Sequence, residues 1–201
     1  MKQIDQAIKI LRQGGVVAYP THTSYGLAVD PSNEKAVKKL YRLKGRDFKK
    51  PVHVIAATLE EIKGLVKWGT VAQNLSEKFW PGPLTLVLPL KAKGKTWKLL
   101  SAGTKSLGVR LSDYPIVTEM LTAFGKPITA TSANVSGQPN TYSVAEIKKQ
   151  FKNQKYKPDF YLDGGKVEKL SPSSIIQIDF RHVTLIREGP IKYHRLIKFL
   201  K

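Results

Sequence analysis

Ala130-Thr131-Ser132-Ala133-Asn134-Val135-Ser136-Gly137-Gln138-Pro139-Asn140 crowds hydroxyl, amide and glycine groups into one short run. Lys126-Pro127-Ile128-Thr129 before it reads as a short strand leaving a Gly-Lys-Pro turn, so a loop is expected to begin at Ala130. Ser132, Asn134 and Ser136 can each offer a donor to an anion, and Gly137 lets backbone N–H groups approach phosphate oxygens. Taken alone, the run reads first as a plain polar strand-to-loop turn. Its neighbours make it a strand-to-loop passage set between two helices.

Upstream, residues 116–124 form a helix after Asp113-Tyr114-Pro115, and downstream Ser143-Val144-Ala145-Glu146 is a capping box opening a helix to about Phe151. At the start of the chain Ile4, Ile8 and Leu11 recur at helical spacing, and Gly14-Gly15 ends that helix. A buried strand over 16–19 stops at Pro20, and 21–26 reads as a polar loop. Asp30-Pro31-Ser32 starts a helix whose stripe is Val37, Leu40 and Tyr41, ending near Lys44-Gly45. A strand over 52–56 leads to a second capping box, Thr58-Leu59-Glu60-Glu61, and a helix turning Ile62, Leu65 and Val66 inward. A helix over 70–79 is cut by Trp80-Pro81-Gly82-Pro83, and a strand runs over 84–90. Residues 91–98, basic and aperiodic, are expected to be a solvated loop. Strands follow over 107–111, 160–162, 174–180 and 183–186, and Pro190 opens a last basic helix. This irregular alternation predicts an α/β fold of the α+β type, a mixed β-sheet flanked by helices, in a single domain over 1–201.

Composition narrows the class. With 41% hydrophobic residues and ordinary Gly and Pro, the 201-residue chain is globular, neither disordered nor fibrous. It has no cysteine, which excludes disulfides, thiolate zinc sites and a Cys nucleophile and fits a cytoplasmic protein. No apolar run reaches membrane-spanning length, and the first residues are amphipathic instead of signal-like. Thirty-four Lys and Arg against 15 Asp and Glu leave a formal charge of +19. Such a field gathers polyanions, so RNA, nucleotides or an anionic surface are natural partners.

Cations and hydroxyls recur where chemistry could sit. Lys44 and Arg46, two apart in Lys44-Gly45-Arg46, point the same way if that segment is extended, which suits gripping a triphosphate. Arg110 and Arg187 end predicted strands, where an Arg is either a rim ion pair or a clamp on carboxylate or phosphate. No Gly-x-x-x-x-Gly-Lys-Ser/Thr, Gly-x-Gly-x-x-Gly or Gly-x-Ser-x-Gly occurs. His22, His53, His182 and His194 show no metal spacing, and His53, inside a strand, reads as structural. A nucleophile with a base is missing, so the pattern suggests a site that grips and orients anions.

Pro20-Thr21-x-Thr23-x-Tyr25-Gly26-Leu27, Lys44-x-Arg46, Trp80-Pro81-Gly82-Pro83-Leu84-Thr85, Gly108-Val109-Arg110, Thr131-Ser132-Ala133-Asn134-x-Ser136-Gly137 and Leu185-Ile186-Arg187-x-Gly189 together resemble the YrdC-domain family of L-threonylcarbamoyladenylate synthases, in its short single-domain bacterial form. The resemblance implies a twisted mixed sheet with a basic concave face. It also implies synthesis of threonylcarbamoyl-AMP from L-threonine, bicarbonate and ATP, with pyrophosphate released and Mg²⁺ arriving on ATP. Downstream tRNA threonylcarbamoyl-transfer proteins would then modify an adenosine beside the anticodon.

Carried over residue by residue, the resemblance makes Lys44, Arg46, Ser132 and Asn134 the catalytic tetrad around the nucleotide phosphates. Ser106, Asn140 and Arg187 fall at further ATP positions, and Thr21, Arg110 and Ser173 at threonine positions. His22 departs from a commoner acidic residue, and Asp47-Phe48-Lys49-Lys50 from a commoner Pro-led run. Two other readings remain: a tRNA or double-stranded RNA binding factor without catalysis, and a carbamoyl-phosphate user. The intact tetrad argues against the first and the absence of zinc-type cysteines against the second.

Overall fold

The computed structural model describes residues 2–179 and 182–200. Its strands are β1 (Val17–Tyr19), β2 (Gly26–Ala28), β3 (His53–Ala56), β4 (Leu84–Pro89), β5 (Ser106–Leu111), β6 (Ile128–Ser132), β7 (Phe160–Tyr161), β8 (Ser174–Asp179) and β9 (His182–Arg187). Among the described residues they form one sheet in the order β7-β1-β2-β6-β3-β5-β4-β8-β9. β1 with β7, β3 with β5 and β4 with β8 run parallel, and the other pairs antiparallel. The sheet is therefore mixed, as expected.

The helices are α1 (Lys2–Arg12), α2 (Glu34–Lys44), α3 (Leu59–Leu65), α4 (Thr70–Phe79), α5 (Lys95–Leu100), α6 (Pro115–Phe124), α7 (Val144–Gln150) and the short α8 (Tyr193–Leu196). Strand alternation divides the core between the two faces of the sheet. Ala18, Leu27, Val54, Leu86, Val109 and Ile176 turn to one face, where α2, α3, α4 and α7 bring Val37, Leu40, Ile62, Leu75 and Ile147. Val17, Tyr19, Ile55 and Ile128 turn to the other, under Ile4, Ile8 and Leu11 of α1 and Val117, Met120 and Leu121 of α6. Each buried Val, Leu, Ile or Met side chain here stabilises the fold by about 1.5–3 kcal/mol. The α1–α6 pair covers only part of its face. Beyond it the same face carries His53, Thr85, Arg110 and Ser132, and a cleft opens there.

Local chemistry explains most element ends. Thr58 and Glu61 satisfy each other's backbone donors, a full capping box at the start of α3. Ser143 caps Glu146 N–H at α7, but the Glu146 carboxylate accepts from Tyr142 N–H instead of closing the box. Asn33, and not the Asp30-Pro31-Ser32 run, caps α2. Gly45 (φ +57°) ends that helix with its N–H on Arg42 O, a left-handed turn that glycine takes without a Cβ clash.

Other expectations need correction too. The 91–98 loop is partly helical: α5 forms because Thr96 and Leu100 are buried and Trp97 and Leu99 pack on the core. The loop expected at Ala130 begins after Ser132, since β6 pairs Thr131 with Leu27 and Ser132 with Gly26. The polar loop at 21–26 yields to β2 at Gly26, a strand too short for alternation to reveal. The basic helix after Pro190 is a single turn followed by a 3-10 turn at Ile197–Phe199. Phe180, placed in the strand over 174–180, lies outside the described residues.

Candidate active site

The cleft encloses about 300 Å³. Its floor is the sheet face that α1 and α6 leave uncovered, and glycine and alanine keep that floor low. Gly26 and Ala130 line it, while Gly108 lies under the His53 ring, where an added Cβ would come within 2.8 Å of Cγ. Around this floor the polar side chains converge from seven segments.

At one end lie the loop after β1 and the loop after β5. Thr21 Oγ1 donates to Ser24 O at 2.6 Å and accepts from Thr23 and Ser24 N–H, so the hydroxyl shapes its own turn. Arg110 enters from β5, in register with Ile55 of β3. Its Nη2 donates to Asp113 Oδ1 at 3.1 Å, while its buried Nε has no partner. A buried, unpaired guanidinium N–H is a donor held ready for a ligand oxygen.

At the other end Arg46 donates from Nε and Nη2 to Lys50 O and Pro51 O at 3.3 and 2.8 Å, which fixes the guanidinium at the rim. On the third side Ser173 Oγ lies 3.0 Å from Thr85 Oγ1, and Arg187 donates to Ser173 O and Oγ. Burial lowers the pKa of both Arg46 and Arg187 from the usual value, yet each stays cationic at neutral pH. His53 faces the cleft between them. Burial first, then the cations Arg187 and Arg46, push it down to about 4, so it is neutral at pH 7.

Of the sequence-predicted residues, Thr21, Arg46, Arg110, Ser132, Asn140, Ser173 and Arg187 line this one cleft. Ser106 does not, although alternation along β5 puts it on the face of Arg110. Lys44 and Asn134 do not line it either. Lys44 ends α2 and Gly45 then turns left-handed, so Lys44 and Arg46 part instead of pointing together. Lys44 is 2% exposed, and its Nζ donates to Ser132 O, to Asn134 O at 2.8 Å and to Asn134 Oδ1 at 3.0 Å. Burial, then Arg46, lowers its pKa to about 7, while the three oxygens favour the ammonium. Asn134 Oδ1 also accepts from Ser132 Oγ at 2.5 Å, and its amide donates to Gln138 O. Three of the four tetrad residues thus knit the 132–138 loop together, with Ser132 alone of these also on the cleft wall.

Sequence reasoning gave His53 a structural reading and assigned no site role to Thr85 or Asp113. Alternation in the strand over 52–56 puts His53 opposite the apolar Val52 and Val54, a signal that was legible. Asp113 was visible only as helix-start chemistry. No motif ties it to Arg110.

The chain has counterparts among known proteins. The family model Sua5–YciO–YrdC, described as telomere recombination, matches residues 9–189. The threonylcarbamoyl-AMP synthase of Vibrio vulnificus strain YJ016 is 35% identical over 192 residues, covering 94% of this chain and all of that one. P. abyssi Sua5, solved in complex with L-threonine, is 31% identical with a TM-score of 0.89 over 98% of this chain, which spans 56% of the Sua5 chain. E. coli YciO is 27% identical, with a TM-score of 0.82 over 95% of this chain and 91% of that one. On the extent of the family match, and with a relative aligned end to end, the chain belongs to the Sua5–YciO–YrdC family.

Proposed function

We propose that the cleft makes threonylcarbamoyl-AMP from L-threonine, bicarbonate and ATP, releasing pyrophosphate. The observation that carries this reading is one cleft with three arginines around a hydroxyl-rich wall. It is supported by relatives named threonylcarbamoyl-AMP synthase and by a Sua5 neighbour solved with L-threonine.

The threonine amine and bicarbonate condense to a carbamate with loss of water. A carbamate oxygen then attacks the α-phosphorus of ATP, and the bond to the β-phosphate breaks as pyrophosphate leaves. Such a displacement needs alignment and charge neutralisation more than protein covalency. Arg110, with its free Nε, would take the threonine carboxylate, beside Thr21 and Ser173. Arg46 and Arg187 would face the triphosphate, with Ser132 and Asn140 as hydrogen-bonding wall and Lys44 with Asn134 holding the loop behind it. Among the described residues no three His, Asp or Glu side chains are grouped to hold a metal ion, so Mg²⁺ would enter on the phosphates as part of the substrate.

We also infer that the product serves tRNA, handed to a transfer protein that modifies an adenosine beside the anticodon. The +19 charge supports contact with tRNA or double-stranded RNA. None of the described helices is long and apolar enough to cross a membrane.

The test is pyrophosphate release by the purified protein with Mg²⁺-ATP. Release should require both threonine and bicarbonate. Release without either, or none with both, overturns the assignment.

A further inference from the structure

Beyond the three arginines of the cleft, basic side chains also gather beside it. Residues 91–105 hold five lysines and no acidic residue. Lys95 and Lys98 of α5 are exposed and make no ion pair among the described residues. α5 lies along α2, with Tyr41 Oη of α2 3.4 Å from Leu99 O. On the solvent side of α2, Lys35, Lys38 and Arg42 are exposed at helical spacing, a stripe about 10 Å long.

An exposed aromatic ring stands at the cleft end of this ridge. Phe48 is 43% exposed, and one ring face stacks on Tyr41, centroids 4.8 Å apart at 21°. The turn that presents it is built locally. Asp47 Oδ1 accepts from Lys49 N–H and Asp47 O from Lys50 N–H, while Tyr41 Oη donates to Lys50 O. Phe48 is thus held rigidly between Asp47 and two exposed lysines, in the segment that begins with cleft residue Arg46. Solvent exposure of a Phe ordinarily costs hydrophobic free energy. Here it leaves one π-face open beside exposed lysines, a combination suited to unpaired nucleotides.

We propose that the α2–α5 ridge and Phe48 form a docking surface for RNA carrying unpaired bases, with an exposed base stacking on Phe48 and lysines meeting the flanking phosphates. This deepens the tRNA part of the reading above and rests on it. It puts the unpaired nucleotides beside the phosphate end of the cleft.

The experiment measures binding of a fluorescent RNA hairpin, and of a blunt RNA duplex of equal length, across a salt series without ATP or threonine. Phe48→Ala should weaken hairpin binding roughly fivefold or more and leave duplex binding unchanged, while Phe48→Tyr retains it. Lys95→Ala/Lys98→Ala should lower the slope of log affinity against log salt by about one to two for both RNAs, with pyrophosphate release unchanged. Unchanged hairpin affinity in Phe48→Ala, or equal losses for hairpin and duplex, overturns the stacking role. An unchanged salt slope in the double lysine variant overturns the ridge. Because turnover is read separately, loss of the synthase assignment and loss of the RNA surface give different results.

Discussion

Arg110 Nη2 donates to Asp113 Oδ1 at 3.1 Å, and that same oxygen lies 3.4 Å from His22 Nε2. The His22 ring meets Tyr114 edge-on at 4.9 Å. One carboxylate therefore links the β1–β2 loop, through His22, to the arginine at the proposed threonine end. His22→Ala should free Asp113 to swing and raise the KM for threonine several-fold while leaving the KM for ATP unchanged. His22→Gln, which keeps a donor toward Asp113, should restore most of it. Asp113→Asn, which loses the charge-assisted bond, should raise it about tenfold. Steady-state kinetics in each substrate separates these outcomes from general damage, which would move both constants.

Lys44 and Arg46 should behave differently despite their shared motif. Lys44→Ala takes the buried ammonium donor from Ser132 O and Asn134 O and leaves Asn134 Oδ1 with Ser132 Oγ alone, which should cost about 3 kcal/mol and lower Tm by roughly 6–12 °C. Arg46 sits at the rim, bonded only to the carbonyls of Lys50 and Pro51, so Arg46→Ala should change Tm by no more than about 2–4 °C while abolishing turnover. Calorimetry beside the pyrophosphate assay reads both. Equal Tm losses would contradict the loop-holding role of Lys44.

The contrast shows what local sequence conveys. Caps and periodic helices such as α1, α3, α4 and α6 were legible because their signals lie within one or two turns. The family of the chain was legible because six short motifs stand in order along it. The parting of Lys44 and Arg46 was hidden because it depends on Gly45 adopting φ +57° at a helix end. α5 was hidden because its buried Thr96 and Leu100 gain their partners only in the fold. The Asp113–Arg110 pair spans three residues yet matters through His22, far away in sequence, and no periodicity encodes such a meeting.

Gly108 should be intolerant of any side chain. A Cβ there would lie 2.8 Å from His53 Cγ and 2.9 Å from Nε2, on a ring flanked by two arginines. Gly108→Ala should displace His53 into the cleft, cut turnover at least tenfold and destabilise the fold by about 1–3 kcal/mol. His53→Ala in the same chain makes room for the added methyl and should recover the stability loss. A double variant no more stable than Gly108→Ala would refute the steric account.

His53 should also make the fold sensitive to acid. Its pKa is lowered from 6.5 to about 4 by burial, then by Arg187 and Arg46, so the unfolded chain binds this proton at a higher pH than the folded one does. Between about pH 6.5 and 4 the unfolded state holds more protons, and stability therefore falls as the pH drops through that window. The full effect is about 3–4 kcal/mol, complete once the pH is below 4. His53→Asn removes the titrating group and should flatten this part of the profile, even if its stability at pH 7 is lower. Urea midpoints of both proteins from pH 7 to 4 measure the difference. Parallel profiles would mean that His53 keeps its proton in the folded cleft, and that its two arginine neighbours are farther from it in energy than in space.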